Sequence, residues 1–171
     1  PPSHDPATTD TYTLGRSSAA SDVYKRQALS RLLFLSGRYG LIEADSDQAS
    51  HVVSSLEAYF ENPRQVADVD VQLCGTPFQR RVWHGLCSIQ PGKIMTYGDL
   101  AARLRSGARA VGNACRRNPV PILVPCHRIV AGNGLGGFAG DSHGRLVSVK
   151  RWLLQHEGVE IGGRHPHIRA G

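Results

Sequence analysis

Apolar positions divide the chain unevenly. Residues 1–27 are rich in Pro, Ser, Thr and Ala and show no apolar period. Such a segment has little to bury, and it is expected to be disordered. Asp22-Val23-Tyr24-Lys25-Arg26-Gln27 resembles the translation of a transposon-end adapter used in preparing sequencing libraries. The start of the chain is therefore expected to be a sequence-assembly artefact. From residue 28 the pattern changes. Leu29, Leu32, Leu33 and Leu35 have helix-like spacing that Gly37 and Gly40 end. Val52, Val53, Leu56, Tyr59 and Phe60 predict the apolar face of a helix, capped by Ser46 or Asp47 and stopped by Asn62-Pro63. Val66, Val69, Val71 and Leu73 predict an extended link.

The pattern then sharpens. Thr76-Pro77-Phe78-Gln79 is a helix start with a capping box and proline at the first helical position. Phe78, Val82, Trp83, Leu86 and Ile89 share one face, and Gln90-Pro91-Gly92-Lys93 is the following turn. Thr96-Tyr97-Gly98-Asp99 opens a second helix to about Leu104. After the turn Arg105-Ser106-Gly107, a third runs from Ala108 to Arg116. Two short helices with a tight glycine-containing turn predict a helix-turn-helix. Small residues alternate with arginines on the second of them, a combination suited to close approach to phosphates. Val147 to Glu157 is the last helix, with Val149, Trp152, Leu153 and Leu154 as core and Gly158 just past its end.

Charge gives this half of the chain a partner. The whole carries +6, with a sequence pI near 9.5. Residues 43–70 hold seven acidic side chains against Arg64 alone, whereas residues 100–140 hold six arginines and no acidic group up to Gly140. That asymmetry points to nucleic acid on the second half. The four cysteines form no Cys-x-x-Cys pair and the histidines are scattered, so no structural metal is expected. No run of about 18 apolar residues exists. The lack of a visible signal peptide points to a reducing intracellular setting, in which free thiols are expected. His165 and His167 lie in a tail, residues 161–171, expected to be disordered.

The chemistry lies between Asn118 and Arg128. Pro119, Pro121 and Pro125 stiffen Ile122-Leu123-Val124 into an expected short buried strand or extended segment and deliver Cys126 beside His127 and Arg128. Arg128 is expected to make the thiol's surroundings electropositive and favour thiolate. The glycine-rich stretch Gly132–Gly140 lacks the Lys-Ser/Thr of a phosphate loop and reads as a flexible pocket wall.

Asn118-Pro119 with Pro125-Cys126-His127-Arg128 resembles the signature of the O6-alkylguanine-DNA alkyltransferases. The resemblance runs from about Gly75 to Val159. It takes in Gly75-Thr76-Pro77-Phe78-Gln79, Val82-Trp83, Thr96-Tyr97-Gly98, Arg109-Ala110-Val111-Gly112, Trp152-Leu153-Leu154 and His156-Glu157-Gly158. It implies an α/β (α+β) fold. A mostly helical C-terminal domain over 74–160, with a winged-helix-like helix-turn-helix and a short active-site strand, would follow a truncated ribonuclease-H-like N-terminal domain over 28–73.

The resemblance implies Cys126 as nucleophile, His127 as base acting through a water, Glu157 orienting the imidazole and Asn118 holding the loop. It implies DNA contacts from Tyr97, Gly98, Arg109, Arg116 and Arg128. Arg109 would fill the gap left by a flipped base, and Tyr97 would help rotate its 3′ phosphate and donate to O6. Tyr97, Val124, Phe138 and Ala139 would line the alkylguanine pocket. The implied activity is stoichiometric transfer of an alkyl group from O6-alkylguanine or O4-alkylthymine in double-stranded DNA, by a monomer without a cofactor. The alternative is a non-catalytic alkyltransferase-like lesion-binding protein, against which Cys126 argues. A transcription factor and a cysteine hydrolase are the other rivals. The turn before Arg109 is about two residues short of the family pattern.

Overall fold

The computed structural model describes residues 11–13, 28–35, 42–65, 69–161 and 168–169. The expectation for the N-terminal 27 residues falls mostly outside these. Gly37, Gly40, Val66, His165 and His167 also lie outside the described residues.

Helix α1 (Asp47–Glu61) begins where Ser46 Oγ accepts the Ala49 N–H at 3.2 Å, and Asn62 ends it. Val52 and Tyr59 are buried, while Val53 is 48% and Phe60 43% exposed. The two exposed residues directly follow the buried ones, and a step of one residue swings a helical side chain off the buried stripe. Strand β2 (Asp70–Gln72) follows, with Val69, Val71 and Leu73 in the core. It pairs antiparallel with β1 (Thr11–Thr13). The leucine-rich stretch at 28–35 is extended, not helical. Leu29 donates to Asp70 O and its carbonyl accepts from Gln72, both at 3.0 Å. Farther along, Leu32 N–H reaches Pro119 O at 2.8 Å. Backbone partners on β2 and on the loop before the cysteine thus outweigh helical spacing, which four leucines satisfy only loosely.

Helix α2 (Pro77–Cys87) carries the full capping box, with Gln79 N–H on Thr76 Oγ1 and Thr76 N–H on Gln79 Oε1. It buries Val82, Trp83 and Leu86 completely or nearly so. Trp83 Nε1 donates to Ala114 O at 3.0 Å, locking α2 to α4 (Ala108–Arg116). Between them lie β3 (Met95–Thr96) and α3 (Tyr97–Arg103), again opened by a capping box, Thr96 with Asp99. Helices α3 and α4 pack on one another through a turn in which Arg105 takes φ 50°.

The expected strand at Ile122–Val124 is absent. Residues 121–124 close a tight turn, in which Val124 N–H bonds Val120 O at 2.9 Å and Ile122 takes φ 76°. Pro119 and Pro121 have no N–H to give a ladder, so the chain folds back on itself. A β-branched residue at positive φ costs about 1–3 kcal/mol, and burial of Ile122, Leu123 and Val124 holds it there. The extended piece comes after the cysteine. A 3₁₀ turn (Cys126–Arg128) leads into β4 (Ile129–Val130), which runs parallel to β3. Helix α5 (Arg145–His156) closes the core with Leu153 and Leu154. Trp152, expected in that core, is 50% exposed and stacks on His156 with ring centres 4.9 Å apart. It falls off the stripe made by Lys150, Leu153, Leu154 and Glu157. Strands β5 (Glu160–Ile161) and β6 (Ile168–Arg169) form an antiparallel pair beyond α5.

Candidate active site

Cys126 is 3% exposed and is the first residue of the 3₁₀ turn. Successive side chains in such a turn point about 120° apart, so neighbours can serve different partners. The thiol lines a cavity of about 190 Å³. The next two side chains turn to Glu157.

Asn118 governs the thiol. Its Nδ2 donates to Val124 O at 2.7 Å and to Cys126 Sγ at 3.1 Å, and its Oδ1 accepts the Val120 N–H at 3.1 Å. One amide therefore fixes the turn and the thiol together.

Glu157, the residue closing α5, has no exposed side-chain surface. Its Oε1 receives His127 Nε2 at 2.8 Å, Arg128 Nη2 at 2.9 Å and the Tyr59 hydroxyl at 2.9 Å. Its Oε2 receives Arg128 Nε at 3.0 Å and the Gly92 N–H at 3.2 Å. Gly92 has φ 76°, and a Cβ there would lie 2.9 Å from Glu157 O. The turn after α2 thus needs glycine twice over. Burial works to raise the Glu157 carboxyl, but the hydrogen bonds and charge of His127 and Arg128 outweigh it and bring the carboxyl to about 2.

A carboxylate only accepts, so His127 Nε2 carries the hydrogen and Nδ1 presents its lone pair. Nδ1 is buried and has no hydrogen-bond partner among the described residues. Burial holds the imidazole below its ordinary range, against the pull of Glu157, so it rests neutral. That is the state of a base ready to accept a proton.

The cysteine's electrostatics differ from expectation. Arg128, expected to meet DNA and to favour thiolate, is 8% exposed and its guanidinium is engaged by Glu157 and Ile89 O, so it is turned neither to solvent nor to the thiol. Burial pushes Cys126 up, opposed by the Asn118 hydrogen bond and the charge of Lys150. The thiol rests protonated, and only a base that takes its proton would make it a nucleophile.

Lys150 went unnoticed in the sequence. It is fully buried and donates to Ile129 O, Leu135 O and Gly137 O. It thereby staples the glycine-rich loop to β4. Its signal was position: Leu146, Lys150, Leu153 and Glu157 recur at helical spacing on the buried face. Burial lowers its ammonium to about 8. Between pH 8 and the ordinary 10.5 the unfolded chain holds a proton that the native one has lost, so this group's contribution to stability rises with pH. Denaturant unfolding of wild type and Lys150→Met from pH 7 to 10.5 should show their difference widening in favour of wild type by up to about 3 kcal/mol.

The cavity is walled by Tyr97, Gly112, Cys115, Arg116, Phe138 and Ala139, together with residues 140–142. Tyr97 donates its hydroxyl to Gly137 O at 3.2 Å, and burial pushes its phenol up, so it remains a donor. Phe138 is buried, and its ring meets Phe34 with centres 5.6 Å apart. Ala139 is exposed at the rim at φ 49°. Val124 does not line the cavity; its carbonyl serves Asn118 instead. Gly98 and Arg109 are exposed on α3 and α4, and Arg116 is exposed at the cavity mouth. Cys115 and Tyr59 are the other residues not assigned here from sequence. Cys115 carried no signal, and Tyr59 was hidden among apolar neighbours.

The geometry has close relatives. The chain is 42% identical over 138 residues to the methylated-DNA–protein-cysteine methyltransferase of Salmonella typhimurium, covering 78% of each chain. This chain belongs to that family. The family model for the DNA-binding domain of 6-O-methylguanine DNA methyltransferase matches residues 77–159. The methylated-DNA–protein-cysteine methyltransferase of Methanosarcina mazei is 40% identical over 116 residues, 66% of this chain and 70% of that one. Among solved structures, Mycobacterium tuberculosis OGT in complex with DNA superposes with a TM-score of 0.59 at 34% identity. It covers 75% of this chain and 80% of that one. A structure of the M. tuberculosis O6-methylguanine methyltransferase gives 0.57 at 39% identity, covering 64% and 65%.

Proposed function

We propose that this protein repairs DNA by moving an alkyl group from guanine O6, or thymine O4, onto Cys126. One observation carries the reading. A buried thiol sits at a cavity, held by Asn118, next to a neutral histidine whose Nε2 is committed to Glu157 and whose Nδ1 is open.

The reaction follows from those groups. His127 Nδ1 takes the thiol proton through a water, and the imidazolium is steadied by the Glu157 carboxylate. Sγ attacks the alkyl carbon in line, the S–C bond forms as the C–O6 bond breaks, and the electron pair stays with the base. Tyr97 exchanges its bond to Gly137 O for one to O6 and stabilises the departing base, which regains a proton from solvent or from the relay. The product is a thioether. Nothing in the site hydrolyses an S–C bond, so each protein acts once and needs no cofactor.

An atom inside a duplex cannot reach a thiol 3% exposed. The base must leave the stack, at about a few kcal/mol. We read α3 and α4 as a winged-helix-like helix-turn-helix laid on the duplex. Gly98 and the small residues of α4 allow close approach, Arg116 meets phosphate and Arg109 fills the vacated stack. The N-terminal part, with α1 and β2, reads as a shortened ribonuclease-H-like sheet domain. The protein acts as a monomer wherever the cell keeps its DNA.

Intact-mass spectrometry after incubation with excess O6-methylguanine duplex tests the reading. The expected result is one methyl per chain, mapped to the peptide holding Cys126, and no further loss of lesion once the protein is consumed. Repeated turnover, or folded DNA-bound protein with no added methyl, overturns it.

A further inference from the structure

The N-terminal helix reaches into the relay. Tyr59 is 4% exposed, and its hydroxyl donates to Glu157 Oε1, the oxygen that also receives His127 Nε2. Its own carbonyl meets His156 Nε2 at 3.0 Å, and its ring stands edge-on to that imidazole at 5.5 Å. Two contacts on the residue before Glu157 and one on Glu157 itself fix the phenol against the end of α5. Tyr59 lies outside residues 77–159, the span of the family model.

We infer that Tyr59 is a positioning residue for the transfer: its hydroxyl shares the Glu157 oxygen that orients His127, so α1 helps set when the base can work. The inference rests on the alkyl-transfer reading above for its consequence, though not for its geometry.

The hydroxyl acts through the charge on one oxygen, Glu157 Oε1. Every donor to Oε1 draws density from it and weakens its hold on a proton-bearing imidazole. Glu157 is faced by His127 and Arg128 from the 3₁₀ turn, by Tyr59 from α1 and by the Gly92 N–H from the loop after α2. His127 also feels Lys150 from α5. Cys87 lies within the field of Arg128, and His156 borders Tyr59. Of the donors to Oε1, the phenol is the one on a separate helix, and it carries no charge. Its hydroxyl can be removed without leaving a charge behind.

Removing that hydroxyl returns density to Oε1. The imidazolium is then held more tightly, so His127 fills with a proton at a higher pH. A protonated Nδ1 cannot accept the thiol proton, and the acid limb of transfer moves upward with it. The displacement expected for the loss of one neutral hydrogen bond is roughly 0.4–1 pH unit.

The test uses the full chain as wild type, as Tyr59→Phe, and with 3,5-difluorotyrosine placed at position 59. The fluorinated ring keeps the hydroxyl and makes it a stronger donor. Two quantities are read: the His127 imidazole NMR titration, assigned with His127→Gln, and the single-turnover methyl transfer rate against pH. The expected result is a His127 midpoint and acid limb moved up in Tyr59→Phe and down with difluorotyrosine. Coincident midpoints in all three proteins overturn the inference. So does a Tyr59→Phe rate lowered equally at every pH, which is the mark of a merely structural residue. Should Tyr59→Phe not fold, the difluorotyrosine protein decides alone. Should wild type take up no methyl, the alkyl-transfer reading fails, while the NMR midpoints still decide whether Tyr59 tunes His127.

Discussion

Cys126→Ala takes up no methyl from O6-methylguanine duplex, and no other cysteine replaces it. Intact-mass measurement over a reaction time ample for wild type should show a loss of at least about 10³-fold, the scale on which removal of a nucleophile acts. The prediction is demanding because Cys115 lines the same cavity. Two features separate the thiols. Burial pushes Cys115 to about 12, so at neutral pH only about one thiol in 10⁵ is ionised. Cys126 is pushed up as well, but it has the Asn118 amide on its sulfur and the following residue is a neutral imidazole. Proximity to substrate without a donor on sulfur and a base nearby is insufficient. Cys87 is likewise held at about 12 by burial and lies away from the cavity. A methylated Cys115 in the alanine variant would show that the cavity, rather than the relay, selects the acceptor.

Glu157→Ala is expected to cost about 3–5 kcal/mol, because it leaves Arg128 buried without its counter-charge. For a chain of this size that lowers Tm by roughly 6–20 °C, a large share of a typical total of about 5–15 kcal/mol. Tyr59, His127 and Gly92 lose an acceptor at the same time. Differential scanning calorimetry of the two proteins checks the value, and a Tm within about 2 °C of wild type contradicts it. The pH dependence has a fixed sign. The native carboxyl at about 2 lies below the ordinary 4.5, so its stabilisation is whole above pH 4.5 and is lost as pH falls toward 2. The gap between wild type and Glu157→Ala should therefore close on acidification, by about 3 kcal/mol across that window.

Local grammar made much of the fold readable. Ser46, Thr76 and Thr96 cap their helices with side chains a few residues away, and such bonds depend on little else. Cys126, His127, Asn118 and Glu157 were readable as a group only through resemblance, since Glu157 is 30 residues from His127. What stayed hidden was settled at long range. Residues 28–35 are extended because their partners lie on β2 and at Pro119. Arg128 and Lys150 look like solvent-facing charges until the carboxylate and carbonyls that satisfy them are in place. The turn at Ile122 defies the residue's own preference for extended backbone, because the prolines beside it leave no ladder to join.

The short parallel pair has a consequence for how lesions are found. Met95 and Thr96 are paired with Ile129 and Val130, so the start of α3 and the end of the turn that holds Cys126 are joined in one bracket. Tyr97 follows one strand directly, and Cys126 stands three residues before the other. On the proposed reading, the reading head and the reactive atom cannot swing apart to inspect a base and close again to treat it. Deformation then falls on the DNA, and the rate of surveillance is governed by how long each base pair spends open. Poorly paired bases present themselves most often. On that reading, damage is first sorted by the lifetime of the pair, before the chemistry of the base is tested.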